Sequence, residues 1–173
     1  MHLLINFAAF QLGWFTSVIG GAKQMPWLGP VAVMLAVGVH LVYARKPKAE
    51  FNLILLCGVL GAAFDSLLVA AGWVTYPSGL VADFMAPYWI VAMWMLFATT
   101  LNVSLRWLKN RPALAALMGF VAGPMSYVAG HKLGGMEFAN ETAAIVALAI
   151  GWAVMMPALT QLADRFNGME TVK

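Results

Sequence analysis

The chain has 173 residues, of which 62% are hydrophobic and only 10% charged, whereas soluble domains run at roughly 45–50% apolar and about 25% charged. A soluble fold of this size cannot bury so much apolar side chain, and a mean hydropathy of +0.83 makes lipid the expected solvent. The net charge of +3 comes from ten Lys and Arg residues scattered in short segments between apolar windows, a topology signal and not a nucleic-acid footprint.

Six windows, each long enough for a ~30 Å hydrocarbon core, predict helices near 3–21, 27–44, 51–74, 84–106, 113–131 and 141–164. Met1 to Asn6 lacks the basic start of a secretory signal, and Asn6 and Gln11 interrupt its apolar run, so the first window is expected to be a retained helix. Lys23-Gln24-Met25-Pro26 and Arg45-Lys46-Pro47-Lys48 predict turns around the second window. Tyr76-Pro77-Ser78-Gly79 and Asn110-Arg111-Pro112 break the chain on either side of the fourth. Asn140, followed by Glu141 and Thr142, has the form of an N-cap with an acidic first turn. Pro124 and Pro157 lie inside the fifth and sixth windows and are expected to kink them. The fold class expected is therefore all-α, one domain over 1–173: a polytopic membrane bundle of six transmembrane helices.

Basic residues set the orientation, because cytoplasmic loops collect them. Arg45, Lys46, Lys48, Arg106, Lys109, Arg111, Arg165 and Lys173 fall on one side, and Lys23 and Lys132 on the other. Both termini are thus expected in the cytoplasm.

Polar residues at membrane depth are the candidates for function. Asp65 lies fourteen residues after Phe51, about 21 Å along a helix, where a bare carboxylate costs roughly 2.5–3.5 kcal/mol to insert. At helical spacing it shares a face with Gly58, Ala62, Val69 and Gly72, so it should point into the bundle. Ser126 and Tyr127 are its expected partners, with His131 and Lys132 one turn further out. Such an acid can relay protons, bind a cation or recognise a basic group; equally, it can simply fix helix register through a hydrogen bond or ion pair.

On the fourth window Tyr88, Ala92, Met95, Thr99, Asn102 and Arg106 recur at spacings of three or four, a stripe that becomes polar toward the cytoplasm. With Asn6, His40 and Asn52 at similar depth, Asn102 and Arg106 suggest a vestibule for an anionic group such as a lipid phosphate. The plainer alternative is helix ends wetted by interfacial water, with Arg106 snorkelling. Gln11 is the deepest polar residue of the first window, suited to a hydrogen bond across to a neighbour. Gly119, Gly123, Ser126 and Gly130 form a small-residue stripe for close helix packing, within the chain or in a homodimer.

Several chemistries lack their residues. The single Cys57 permits no disulfide or CxxC pair, and His2, His40 and His131 contain no i, i+4 pair, so no metal site or cofactor is expected. No phosphate-binding loop, GxSxG or HExxH is present. An enzyme using His40 or Asp65 as acid or base would lack an identifiable second group.

The runs Phe10–Phe15, Gly61–Ser66, Tyr88–Trp94, Phe97–Leu108 and Gly123–Gly130 resemble an uncharacterised bacterial inner-membrane family, domain of unknown function 2878. The Asp65-Ser66 pair and the run from Thr100 to Leu108 are the most specific parts of that resemblance, which covers nearly the whole chain. It implies a membrane protein whose relatives lie among genes for modifying fatty acyl chains, and it supplies no active residue. Two functions are therefore expected to compete: a lipid-binding or lipid-modification accessory protein, whose partners are membrane lipids and a membrane protein, and a small proton- or cation-coupled transporter using Asp65.

Overall fold

The computed structural model describes residues 3–169; His2 and Lys173 lie outside that range. Six α-helices occur among the described residues: α1 (Leu3–Ala22), α2 (Leu28–Tyr43), α3 (Pro47–Ala70), α4 (Tyr88–Leu101), α5 (Pro112–Lys132) and α6 (Glu141–Arg165). A two-residue antiparallel pairing of β1 (Val74–Thr75) with β2 (Glu137–Phe138) ties the α3–α4 connection to the α5–α6 connection. Four helices, α1, α3, α5 and α6, are long and apolar enough to cross a membrane, while α2 and α4 are shorter.

Local chemistry explains the boundaries. Pro47 and Pro112 each open a helix at the first position, where the missing N–H has no partner to lose. The Asn140 side chain accepts the Ala143 N–H at 3.1 Å and caps α6. Both α5 and α6 run unbroken through Pro124 and Pro157.

The fourth window differs most from expectation, with 14 helical residues in place of 84–106. Pro87 takes extended ψ at the N-cap, and the residue before a proline disfavours helix, so the helix cannot start earlier. At its other end Thr99 and Thr100 turn their hydroxyls back onto the carbonyls of Leu96 and Phe97, and Asn102 becomes the C-cap. These are residues whose side chains compete for backbone bonds. Arg106 consequently lies not on α4 but in a separate 3₁₀ turn, Arg106–Leu108. The third window moves the other way: α3 begins at Pro47, ends at Ala70, and Gly72 (φ +69) reverses the chain.

Packing is governed by glycines set against large aromatics. Trp94 of α4 stacks on Trp152 of α6, with centroids 4.7 Å apart and planes at 14°. A Cβ on Gly61 of α3 would strike the Trp94 ring, and one on Gly123 of α5 would strike Trp152. Gly119 also lies against Trp152, so the small-residue stripe of α5 receives α6 within this chain. The two indoles thus join four helices through positions where only glycine fits. Outward, Leu4, Leu12, Leu35, Val42, Leu67 and Val154 each leave two-thirds or more of their surface uncovered, an apolar exterior far beyond the patches that a soluble monomer carries.

Candidate functional site

α3 carries a buried acid near each end. Glu50 lies in its first turn and Asp65 near its last, both with no exposed surface; the fifteen residues between them make about 22 Å of helix. They belong to one buried stripe that includes Leu53, Cys57, Gly61 and Leu68. Of the face expected for Asp65, Gly58 is buried on this stripe, but Ala62 and Val69 are only half-buried and Gly72 is exposed beyond the helix.

Asp65 is held by three donors from three segments. Tyr127 of α5 donates to both carboxylate oxygens, at 2.8 and 3.0 Å, and Tyr76 donates to Oδ1 at 3.0 Å. Trp94 Nε1 donates to Oδ2 at 2.6 Å. Every partner is a donor, the set an acceptor-only carboxylate needs. Burial and the neighbouring carboxylate hold the Tyr76 phenol well above its usual range, so it remains a donor. Ser126, expected beside Tyr127, instead bonds the Gly123 carbonyl of its own helix at 2.7 Å. His131 bonds the Met136 carbonyl through Nδ1; neither it nor Lys132 joins the acid.

The cytoplasmic vestibule expected around Arg106 is replaced by a cluster centred on Glu50. His40 Nε2 lies 2.8 Å from Oε2. Oε1 accepts from Asn102 Nδ2 at 2.7 Å and from the Gly168 backbone N–H at 2.7 Å. His40 and Asn102 are therefore together, as expected, but around a carboxylate, whose charge opposes that of an anion. Asn6 is turned to the Thr99 carbonyl at 3.0 Å, while Asn52 and Arg106 are exposed. Gln11 is half-buried and makes no side-chain hydrogen bond among the described residues.

Beside the Asp65 cluster runs a cleft of about 470 Å³. α1 packs on α2 and α4, and α5 packs on α6; the space between α1 and α5, floored by α4, is left open. Its lining reaches from Leu3 and Leu108 at one end to Val18, Tyr76 and Met136 at the other, and contains no charged side chain among the described residues. Gly135 seats against Val18 at that second end. Tyr76, Trp94 and Tyr127 all face the cleft, so the three residues that hold Asp65 also make its polar wall. Trp152 lines it too, its Nε1 buried and turned to the Tyr127 hydroxyl.

The family described as Protein of unknown function (DUF2878) matches residues 3–158. The chain belongs to it. No curated protein and no solved structure matches. The matched span includes Glu50, Asp65 and every residue that lines the cleft, but not Gly168, which closes the Glu50 cluster.

Glu50, Tyr76 and Trp94 escaped the sequence reading. Glu50 looks like an ordinary acid in a first helical turn, although His40 and Glu50 flank one tight turn and could have been paired on that ground. Tyr76 sits in a run of loop-forming residues, and Trp94 carries no signal that sets it apart from the other indoles. Among the described residues no group of three or more His, Cys, Asp or Glu is placed to hold a metal.

Proposed function

We propose that this chain spans a bacterial inner membrane six times, with both termini in the cytoplasm, and holds a lipid chain in the cleft between α1 and α5 as a lipid-binding or lipid-modification accessory protein. The eight-to-two distribution of basic residues supports the orientation. α4 contributes about 21 Å at 1.5 Å per residue, and the irregular stretch after it completes the crossing. Asn102 and Leu108 are buried there, and non-helical backbone is tolerated at membrane depth where protein covers it.

The cleft carries the functional reading. Its volume lies in the range of ligand pockets, roughly 300–1,000 Å³, its walls are apolar and aromatic, and it follows α1 from Leu3 to Val18, about 22 Å of helix. An elongated, uncharged slot of that length suits an alkyl chain better than a compact polar solute. Ala122 lines the cleft and is exposed, so Ala122→Trp should fill the slot without disturbing the core. Native mass spectrometry of gently extracted protein is expected to show retained lipid on the wild type and much less on Ala122→Trp. Equal retention by both, or none by either, refutes lipid binding in the cleft.

Transport coupled to Asp65 is supported by a single feature, a buried carboxylate with no basic partner among the described residues that borders a cavity through two phenols. Proton or cation flux in proteoliposomes that Asp65→Asn leaves unaltered would eliminate it.

A further inference from the structure

The connection between α3 and α4 has an apolar tip on a pinned base. Leu80, Val81, Phe84 and Met85 are all exposed, Val81 at 73% and Phe84 at 65%, and Asp83 is the only charged residue between Pro77 and Pro87. At the base, Ser78 Oγ donates to the Gly21 carbonyl of α1 at 2.7 Å, and the Ser78 carbonyl accepts from Trp89 Nε1 at 3.0 Å. The Tyr88 N–H donates to the Gly79 carbonyl at 3.1 Å and closes the loop. The Ala86 N–H donates to Ser66 Oγ at 3.0 Å. Ser66 lies one helical turn before α3 ends at Ala70, about 6 Å inside that end at 1.5 Å per residue. The chain therefore turns back along α3, and α4 starts below the rim of the bundle with Ala86 and Pro87 buried.

From this placement we infer that residues 79–87 are a membrane-docking loop, its apolar tip seated in lipid at the boundary between headgroups and acyl chains on the side opposite the basic loops. This inference rests on the membrane-spanning reading proposed above. Large apolar side chains exposed together mark a surface that meets a partner, and lipid is the partner present at this depth. The patch continues onto the neighbouring α1–α2 turn, where Met25 is 39% and Trp27 56% exposed and Gln24 Nε2 donates to the Pro77 carbonyl at 3.1 Å. Trp and Tyr gather at that boundary, and Tyr88, also exposed, ends the segment. Lipid-exposed irregular backbone does not enter the hydrocarbon core, so the loop stops at the boundary, where water still reaches its backbone. With no Lys or Arg between Pro77 and Pro87, apolar contact and not headgroup charge holds it there. The loop also supplies the outer end of a crossing that α4, with 14 residues, is too short to make alone.

Bimane attached to Val81→Cys or Phe84→Cys of the full chain in phosphatidylcholine liposomes provides the test, since Cys57 is fully buried and should stay unlabelled. Both probes are expected to lose most of their fluorescence to a phosphatidylcholine with a nitroxide near the top of its acyl chain, less to one with the nitroxide at the chain end, and little to iodide in the buffer. Lys132→Cys, exposed at the same end of the bundle, should respond to iodide instead. Val154→Cys, at the middle of α6 and 67% exposed, should respond most to the chain-end nitroxide. Loop probes quenched by iodide and spared by both nitroxides lie in water, and loop probes spared by all three quenchers are covered by a second copy of the chain. Either result overturns the docking loop, and the spanning reading stands as long as Val154→Cys is quenched from the lipid. A Val154→Cys probe that neither nitroxide reaches removes both.

Discussion

Glu50→Ala tests how the end of the bundle at the α2–α3 turn is held. The substitution removes one carboxylate and strands three buried donors or ring nitrogens: His40 Nε2, Asn102 Nδ2 and the Gly168 N–H. Asn102 keeps only a long contact of 3.4 Å to the Phe166 carbonyl. An unsatisfied buried polar group costs about 1–3 kcal/mol, and removing one member of a buried polar pair typically costs about 3–5 kcal/mol. We therefore expect a loss of about 3–5 kcal/mol, on the order of 10 °C in melting temperature for a chain of this size. The loss should be uneven. Gly168 accepts the N–H groups of Arg45 and Lys46 at 2.9 and 3.0 Å, so freeing its own N–H should release the segment after α6 from the start of α3. Hydrogen exchange of the full chain in detergent is the assay, with amides 45, 46 and 168 exchanging faster and those of α5 unchanged. A variant that melts like the wild type, or one that melts early while those amides keep their protection, would refute Glu50 as the anchor of this end.

Gly61→Ala should destabilise by about 1–3 kcal/mol through overpacking, because its methyl would occupy the place of the Trp94 indole; thermal unfolding in detergent checks it, and an unchanged melting temperature contradicts the glycine–tryptophan contact. Asp65→Asn puts an amide N–H₂ or a weaker acceptor opposite the Trp94 N–H, now 2.6 Å away, so Trp94→Phe should cost less in the Asp65→Asn background than in the wild type, with a coupling of about 1 kcal/mol or more. Strict additivity in that double-mutant cycle would mean the two side chains do not communicate. Cys57 is fully buried, a quiet background for accessibility mapping: Lys48→Cys and Arg111→Cys are expected to label from the cytoplasmic face and Lys132→Cys from the opposite one. Labelling of all three from one side would overturn the six-span topology.

The helical content and the apolar exterior were legible because they depend on what each segment is made of. Windows of 20 apolar residues need lipid or a very large core whatever their neighbours, and Pro47, Pro112 and Asn140 mark helix starts by chemistry local to the chain. Asp65 stood out for the same reason: a carboxylate in such a window demands partners wherever they lie. The length of α4 was less legible, since hydropathy continues past Leu101 while the back-bonding of Thr99 and Thr100 ends the helix.

The partners themselves were decided by tertiary structure alone. Tyr76 reaches Asp65 from eleven residues away, Trp94 from 29 and Tyr127 from 62, while Gly168 reaches Glu50 across 118. Such distances in sequence carry no periodicity to read. Composition determined that the chain needs an apolar surrounding and that its acids must be satisfied internally. Which side chains satisfy them, and the cleft left between α1 and α5, follow from how helices of similar greasiness pack, and that is set by glycines facing tryptophans across helices far apart in sequence.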